Sequence, residues 1–149
     1  MTPSAFEVVS RTPAETREAG RRLAPLLAPG TLVFVSGPLG AGKTEFVRGV
    51  AEGLGADPGE VASPTFALVH EYGPPGLAPV LLHADLYRLL GTPGLGAAVE
   101  DLGLAEARAR GAVVVVEWPE ALAGERCDLE VGISMERDEA RRIVVRRAS

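Results

Sequence analysis

Residues 36–46, SGPLGAGKTEF, constrain the fold of this chain more than any other stretch. Gly37 to Thr44 spells GxxxxGKT, and the five residues before it, Thr31 to Val35, are nearly all β-branched or apolar, as in a strand buried on both faces. After it, Phe46, Val47, Val50, Ala51 and Leu54 recur at helical spacing. A strand, a glycine loop and a helix in that order form a phosphate cradle, in which the loop turns backbone N–H groups inward beside the positive end of the helix. Gly37, Leu39, Gly40, Ala41, Gly42, Lys43, Thr44 and Glu45 are the expected nucleotide-holding residues, with the Glu45 side chain directed away from the phosphates. Lys43 is the only lysine in the chain. A point charge on a flexible stem suits the terminal phosphates, and the Thr44 hydroxyl suits magnesium.

The surrounding pattern predicts the rest of the architecture. Phe6 to Val9 reads as an edge strand, and Thr12-Pro13-Ala14-Glu15 as the capped start of a helix that runs toward Pro29-Gly30. Further strands are expected at Thr65 to Val69, Val80 to His83, Val113 to Val116, 129–133 and 142–146, with a helix around Ala97 to Arg108. Helices crossing between apolar strands give a three-layer α/β domain of the P-loop NTPase type with a mainly parallel central sheet. With 149 residues, 46% of them hydrophobic, the chain can bury one good core, so a single domain over 1–149 is expected.

Composition narrows the function classes. The formal charge of −5 gives no overall attraction to nucleic acid or an anionic membrane. One cysteine, Cys127, excludes an intramolecular disulfide and a thiolate metal cluster. The first residues, MTPSAFEVVS, lack the pattern of a secretory signal, and no stretch is long enough to span a membrane; a cytoplasmic location is expected.

Magnesium requires carboxylate or carboxylate-oriented water near the loop. Asp85, after VLLHA, and Glu117, after VVVV, are placed for this if the strands are parallel, because ligands then gather at the carboxyl ends. Thr65, in Ser63-Pro64-Thr65, occupies the connection where nucleotide-sensing switches sit. The 59–72 segment is expected to close over magnesium-bound ATP. Trp118, one residue beyond Glu117, is either packing or a neighbour of the base. His70 and His83 are too few and isolated for a metal site and read as structural or hydrogen-bonding groups. The pairs Arg141-Arg142 and Arg146-Arg147 read as a solvated edge diluted by Glu136, Asp138 and Glu139.

Four ordered segments, GPLGAGKTEFVRG, SPTFALVHEY, HADLYRL and VVEWPE, together resemble the bacterial TsaE family, formerly grouped under YjeE. The resemblance spans about residues 6–133 and implies a small P-loop ATPase, with ATP and magnesium, required for threonylcarbamoyladenosine modification of transfer RNA. Lys43 and Thr44 resemble the family's phosphate and magnesium residues, Thr65 its switch threonine and Asp85 its Walker B-type aspartate. Glu117 resembles a second acidic magnesium-site residue, and Trp118 the tryptophan near the nucleotide. The implied partners are the TsaD and TsaB proteins, with TsaD transferring the threonylcarbamoyl group to adenosine 37. This chain departs from the family in the glycine-rich Leu90 to Ala98 stretch and in Glu45 after Thr44.

Two other readings use the same loop. A small-molecule kinase would need an acceptor pocket and arginines on a lid, for which Arg88, Arg108 and Arg110 are the candidates. A nucleotide-dependent binding module would act mainly through a protein surface. A GTPase is disfavoured because no NKxD-type guanine-reading segment occurs.

Overall fold

A computed structural model describes residues 4–56, 69–73, 80–90, 102–122 and 126–148. Its elements in chain order are β1 (Ser4–Ser10), α1 (Pro13–Leu23), β2 (Leu32–Ser36), α2 (Lys43–Gly53), β3 (Val69–Tyr72), β4 (Leu81–Asp85), α3 (Leu104–Ala109), β5 (Val113–Glu117), β6 (Leu129–Met135) and β7 (Arg141–Arg147). Short 3-10 turns cover Ala24–Leu26, Tyr87–Leu89 and Pro119–Leu122.

The strands form one sheet in the order β1-β7-β6-β2-β5-β4-β3. Its centre, β6-β2-β5-β4, is parallel, as the expected α/β fold requires, while β1, β7 and β3 close the edges in antiparallel pairing. The parallel strands are the apolar ones: all five residues of β5 are buried, including Glu117. Alternation along each strand sends Val33, Val35, Leu81, Val113, Val115, Leu129, Val131, Ile143 and Val145 into one core with α1 and α2. Leu32, Leu82, Ala84, Val114 and Val116 enter a second core on the opposite face with α3. The sheet is therefore the middle of three layers.

Helix α1 starts where the sequence placed it. The Thr12 hydroxyl accepts from the Glu15 amide at 3.1 Å and Pro13 occupies the first turn. The Glu15 carboxylate reaches back to the Arg11 amide, one residue further than in a standard capping box. The helix ends at Leu23, earlier than the expected stop at Pro29-Gly30, because Pro25 has no N–H to continue the ladder and the chain tightens into a 3-10 turn. Helices α1 and α2 approach until backbones touch: a β-carbon on Gly49 would overlap the Arg17 carbonyl, and one on Gly20 the Phe46 carbonyl. Apolar burial of Phe46, Val47 and Val50 then fixes α2 beneath the sheet.

Two other boundaries differ from the sequence expectation. Of the strand expected at Thr65 to Val69, Val69 is in a strand that runs on to Tyr72, which pairs with Leu81 and reaches the core; residues 65–68 lie outside the described residues. Within the helix expected around Ala97 to Arg108, Leu102 and Gly103 are not helical. Gly103 adopts φ +74°, so α3 starts only at Leu104; residues 97–101 lie outside the described residues.

Candidate functional site

Strand register assembles the site. In the parallel centre, Val35 of β2 pairs with Glu117 of β5, and Glu117 in turn pairs with Asp85 of β4, so the carboxyl ends of three strands lie in one row. Period-two alternation puts His83, Asp85 and Glu117 on the same sheet face as Leu81, Val113 and Val115, which is the face covered by α2. The glycine loop leaves β2 at the end of that row and enters α2 at Lys43. Gly42 caps the helix with φ +101°, a left-handed conformation that only glycine takes without strain.

The Lys43 ammonium donates to the carbonyls of Gly37 at 2.6 Å and Pro38 at 3.0 Å, and lies 4.4 Å from the centre of the Trp118 ring. Only 6% of the residue is exposed. Burial lowers its pKa, against the opposing pull of Glu117, Asp85 and Glu120, so both candidate acids act electrostatically on this one cation. Thr44, half-buried, follows it in the first turn of α2.

Asp85 is half-buried at the end of β4 and accepts from the Tyr87 amide at 3.1 Å. Glu117 is 3% exposed, and its Oε2 lies 2.5 Å from Nε2 of His83, which is fully buried. The hydrogen-bonding role expected of His83 is thus met, and its partner is a candidate site acid. His70, paired across β3–β4 with His83, has its Nδ1 3.3 Å from the Tyr72 hydroxyl. Trp118 has φ +59°, a left-handed conformation that costs a bulky residue about 1–3 kcal/mol. A tilted contact with the Tyr87 ring, with ring centres 5.0 Å apart, and the Lys43 contact hold it there.

The donor set fits magnesium. A threonine hydroxyl and two carboxylates are hard oxygen groups, placed around a buried lysine. Among the described residues no group of three or more His, Cys, Asp or Glu forms a protein cage. Magnesium does not require one, because it retains waters and shares substrate phosphates.

A cavity of about 620 Å³ opens on the other side of the loop, bounded by Ser10, Thr12, Thr16, Ala41, Glu139 and Arg141 among others. That is the size of a pocket for a small organic ligand. Because β5 and β6 flank β2 on opposite sides, this cavity and Trp118 are separated by the loop. Trp118 packs on Lys43, across the loop from this cavity.

Sequence reasoning missed Arg141. It shares the sheet face of Ile143 and Val145, and its Nε donates to the Ala41 carbonyl at 3.2 Å and its Nη2 to the Gly40 carbonyl at 3.3 Å. The expected solvated edge holds for Arg142, which pairs with Glu7 and Glu136 on the opposite face, but not for Arg141. The signal available was parity: two residues before Ile143 on a strand is the core side. Glu45 accepts from Arg17 and Arg48, so its carboxylate is committed to the α1–α2 interface at the edge of that cavity. Arg108 is tied to the Gly30 carbonyl and Asp128, which removes it from any lid. Thr65 and most of the 59–72 segment lie outside the described residues, as does the Leu90 to Ala98 stretch after Leu90. Cys127 is buried, and burial together with Glu130 pushes its pKa up to about 11, leaving it a thiol. No helix among the described residues is long and apolar enough to cross a membrane.

A parallel-centred three-layer sheet with a glycine loop between its central strand and the next helix is a P-loop NTPase-like fold. The family model described as "Threonylcarbamoyl adenosine biosynthesis protein TsaE" matches residues 10–144, and the chain belongs to that family, whose members act in transfer-RNA threonylcarbamoyladenosine biosynthesis. The tRNA threonylcarbamoyladenosine biosynthesis protein TsaE of Streptomyces coelicolor is 44% identical over 135 residues, covering 87% of this chain and 88% of the relative. Its counterpart in Bacillus subtilis is 39% identical over 135 residues, covering 88% and 78%. The crystal structure of YdiB from Bacillus subtilis superposes with a TM-score of 0.74 at 29% identity, covering 100% of this chain and 88% of that one.

Proposed function

We propose that this chain is a magnesium-dependent ATPase that binds TsaD and TsaB and regulates their threonylcarbamoylation of adenosine 37 in transfer RNA. The observation that carries the ATPase half is the convergence of Lys43, Asp85 and Glu117 at the end of one row of parallel strands, beside a glycine loop and a cavity of about 620 Å³. Family membership supports the pathway, and the resemblance in the four motif segments supports the partners.

In this reading the base and ribose enter the cavity at the β1–α1 junction, and the phosphates lie along the loop toward α2. The Lys43 ammonium exchanges its carbonyl partners for the terminal phosphates and offsets charge that develops there. Thr44, Asp85 and Glu117 are the residues that would hold magnesium, which when bound supplies charge neutralisation between the outer phosphates. Asp85 and Glu117 orient water at the strand ends, and Thr65 takes the switch role that the resemblance implies. The protein alone is a weak ATPase, and contact with its partners completes the site.

The test is magnesium-dependent ATP turnover by the purified chain, alone and with TsaD and TsaB. Lys43→Ala is expected to abolish strong ATP binding, and Asp85→Ala chiefly to weaken magnesium-dependent hydrolysis. Wild-type ATP and magnesium affinities in both variants would overturn the site assignment. Vigorous turnover unaffected by the two proteins would overturn the partner assignment.

A further inference from the structure

We propose that His83 is a positioning residue for Glu117: its Nε2–H pins one carboxylate oxygen and leaves the other as the only oxygen that Glu117 can present to the site. The inference rests on the ATPase reading above and assigns a role within that same site.

The geometry has three parts. His83 is fully buried on β4, Glu117 is nearly so on the neighbouring β5, and Nε2 to Oε2 is 2.5 Å. The two strands run parallel with Ala84 opposite Val116 and Asp85 opposite Glu117, so His83 sits two residues behind the row of acids on the same face. It is therefore behind Glu117 and not among the groups facing the loop. The third part is the far side of the ring, where Nδ1 is buried and meets no hydrogen-bond partner among the described residues.

In this proposal the ring proton sits on Nε2. With the Glu117 carboxylate as acceptor, the hydrogen of the bond belongs to the ring. A hydrogen on Nδ1 would be a buried donor with nothing to meet, which costs more than an unmatched acceptor. The ring is then the Nε2–H tautomer, with the unpartnered Nδ1 as its acceptor nitrogen. A glutamate on a flexible side chain has two equivalent oxygens and several rotamers; with Oε2 held from behind, the carboxylate loses much of that freedom and Oε1 is the oxygen left for the site. Partners of this kind, behind an acid that addresses a metal or its waters, commonly matter by 10–100-fold.

The test compares three full-length variants. His83→Gln places an amide N–H near the position of Nε2, whereas His83→Asn places it near Nδ1, and His83→Leu fills the volume with no donor. Binding of a fluorescent ATP analogue is measured with and without magnesium, together with turnover and thermal unfolding. His83→Leu and His83→Asn are expected to lose about 10–100-fold in kcat and in the magnesium-dependent gain of affinity, with magnesium-free affinity unchanged. His83→Gln is expected to recover most of both. A second readout needs neither metal nor nucleotide. The chain has two histidines, so 15N spectra of wild type and His83→Gln assign the ring, and Nε2 should be the protonated nitrogen with a strongly downfield proton.

A Gln variant no better than Leu, a Leu variant equal to wild type, or a proton found on Nδ1 would each overturn the positioning role. Failure of the ATPase reading looks different: wild type itself would then show no Lys43-dependent nucleotide binding.

Discussion

Arg141→Ala tests how far the phosphate loop is shaped from outside itself. The guanidinium holds the Gly40 and Ala41 carbonyls at 3.3 and 3.2 Å. In a planar trans peptide the C=O and the following N–H point opposite ways, so holding the Ala41 carbonyl toward β7 aims the Gly42 N–H away from it. Bonds to a charged donor contribute about 1.5–3 kcal/mol when short, but these are long, one part-buried and the other exposed, which suggests about 0.5–1 kcal/mol each. The pair is then worth about 1–2 kcal/mol of loop ordering, or roughly 5–30-fold in nucleotide affinity. The assay is titration with a fluorescent ATP analogue in the presence of magnesium, alongside thermal unfolding. Arg142→Ala is the control, since that side chain lies on the opposite face in an exposed ion pair with Glu7 and Glu136, and should alter affinity by less than about twofold. Arg141→Lys should fall between, because one ammonium cannot span both carbonyls as the planar fork does. Equal affinities for wild type, Arg141→Ala and Arg142→Ala would refute the reasoning. So would an affinity loss in Arg141→Ala fully accounted for by unfolded protein.

Two further outcomes concern the α1–α2 layer beneath the site. Gly49→Ala places a methyl group against the Arg17 carbonyl, and backbone on both sides cannot give way cheaply, so unfolding should become easier by about 1–3 kcal/mol. The melting temperature should fall by roughly 3–12 °C, and an unchanged melting curve would contradict the close helix contact. Glu45→Gln removes the carboxylate that Arg17 and Arg48 share, at a cost of about 1 kcal/mol. Burial raises the Glu45 pKa, but the two arginines outweigh it and hold it below the usual range. The native pKa is therefore below the unfolded one, so this stabilisation is complete above the ordinary glutamate range of about 4.3 and is lost as pH falls through the native value. Denaturant midpoints for wild type and Glu45→Gln should accordingly differ at neutral pH and converge in acid; a pH-independent gap would show that packing, not charge, was removed.

The fold was legible because its central strands carry little but apolar residues and its loops carry their own punctuation. Val113 to Val116 and the GxxxxGKT segment each admit few conformations, and together they place Glu117 beside the phosphate loop once the strands are taken as parallel. What stayed illegible depends on side chains meeting across distance. Arg141 is one of fourteen arginines, and adjacent arginines on a strand look alike until the strand is assigned a buried face. The His83–Glu117 bond joins residues 34 apart in sequence, and nothing local to either marks the other. The early stop of α1 was within reach, since Pro25 sits four residues after Arg21 and withholds the donor that Arg21 would need.

Lys43 shows why such partners matter at this site. An ammonium has three donors, and here two are met by the Gly37 and Pro38 carbonyls while the Trp118 ring covers the third side. A phosphate must compete with these groups for the same cation, so the lysine's reach is set by the loop and by a tryptophan held in a strained backbone conformation by Tyr87. Trp118 directly follows Glu117, and Tyr87 lies two residues after Asp85. In the ATPase reading proposed above, any movement of Lys43 toward phosphate would be coupled, through two aromatic contacts, to the strand ends that carry both acids. The lysine that would meet the nucleotide and the residues that would hold magnesium then belong to one packed unit, which is what a small ATPase needs if occupancy is to be read at its surface.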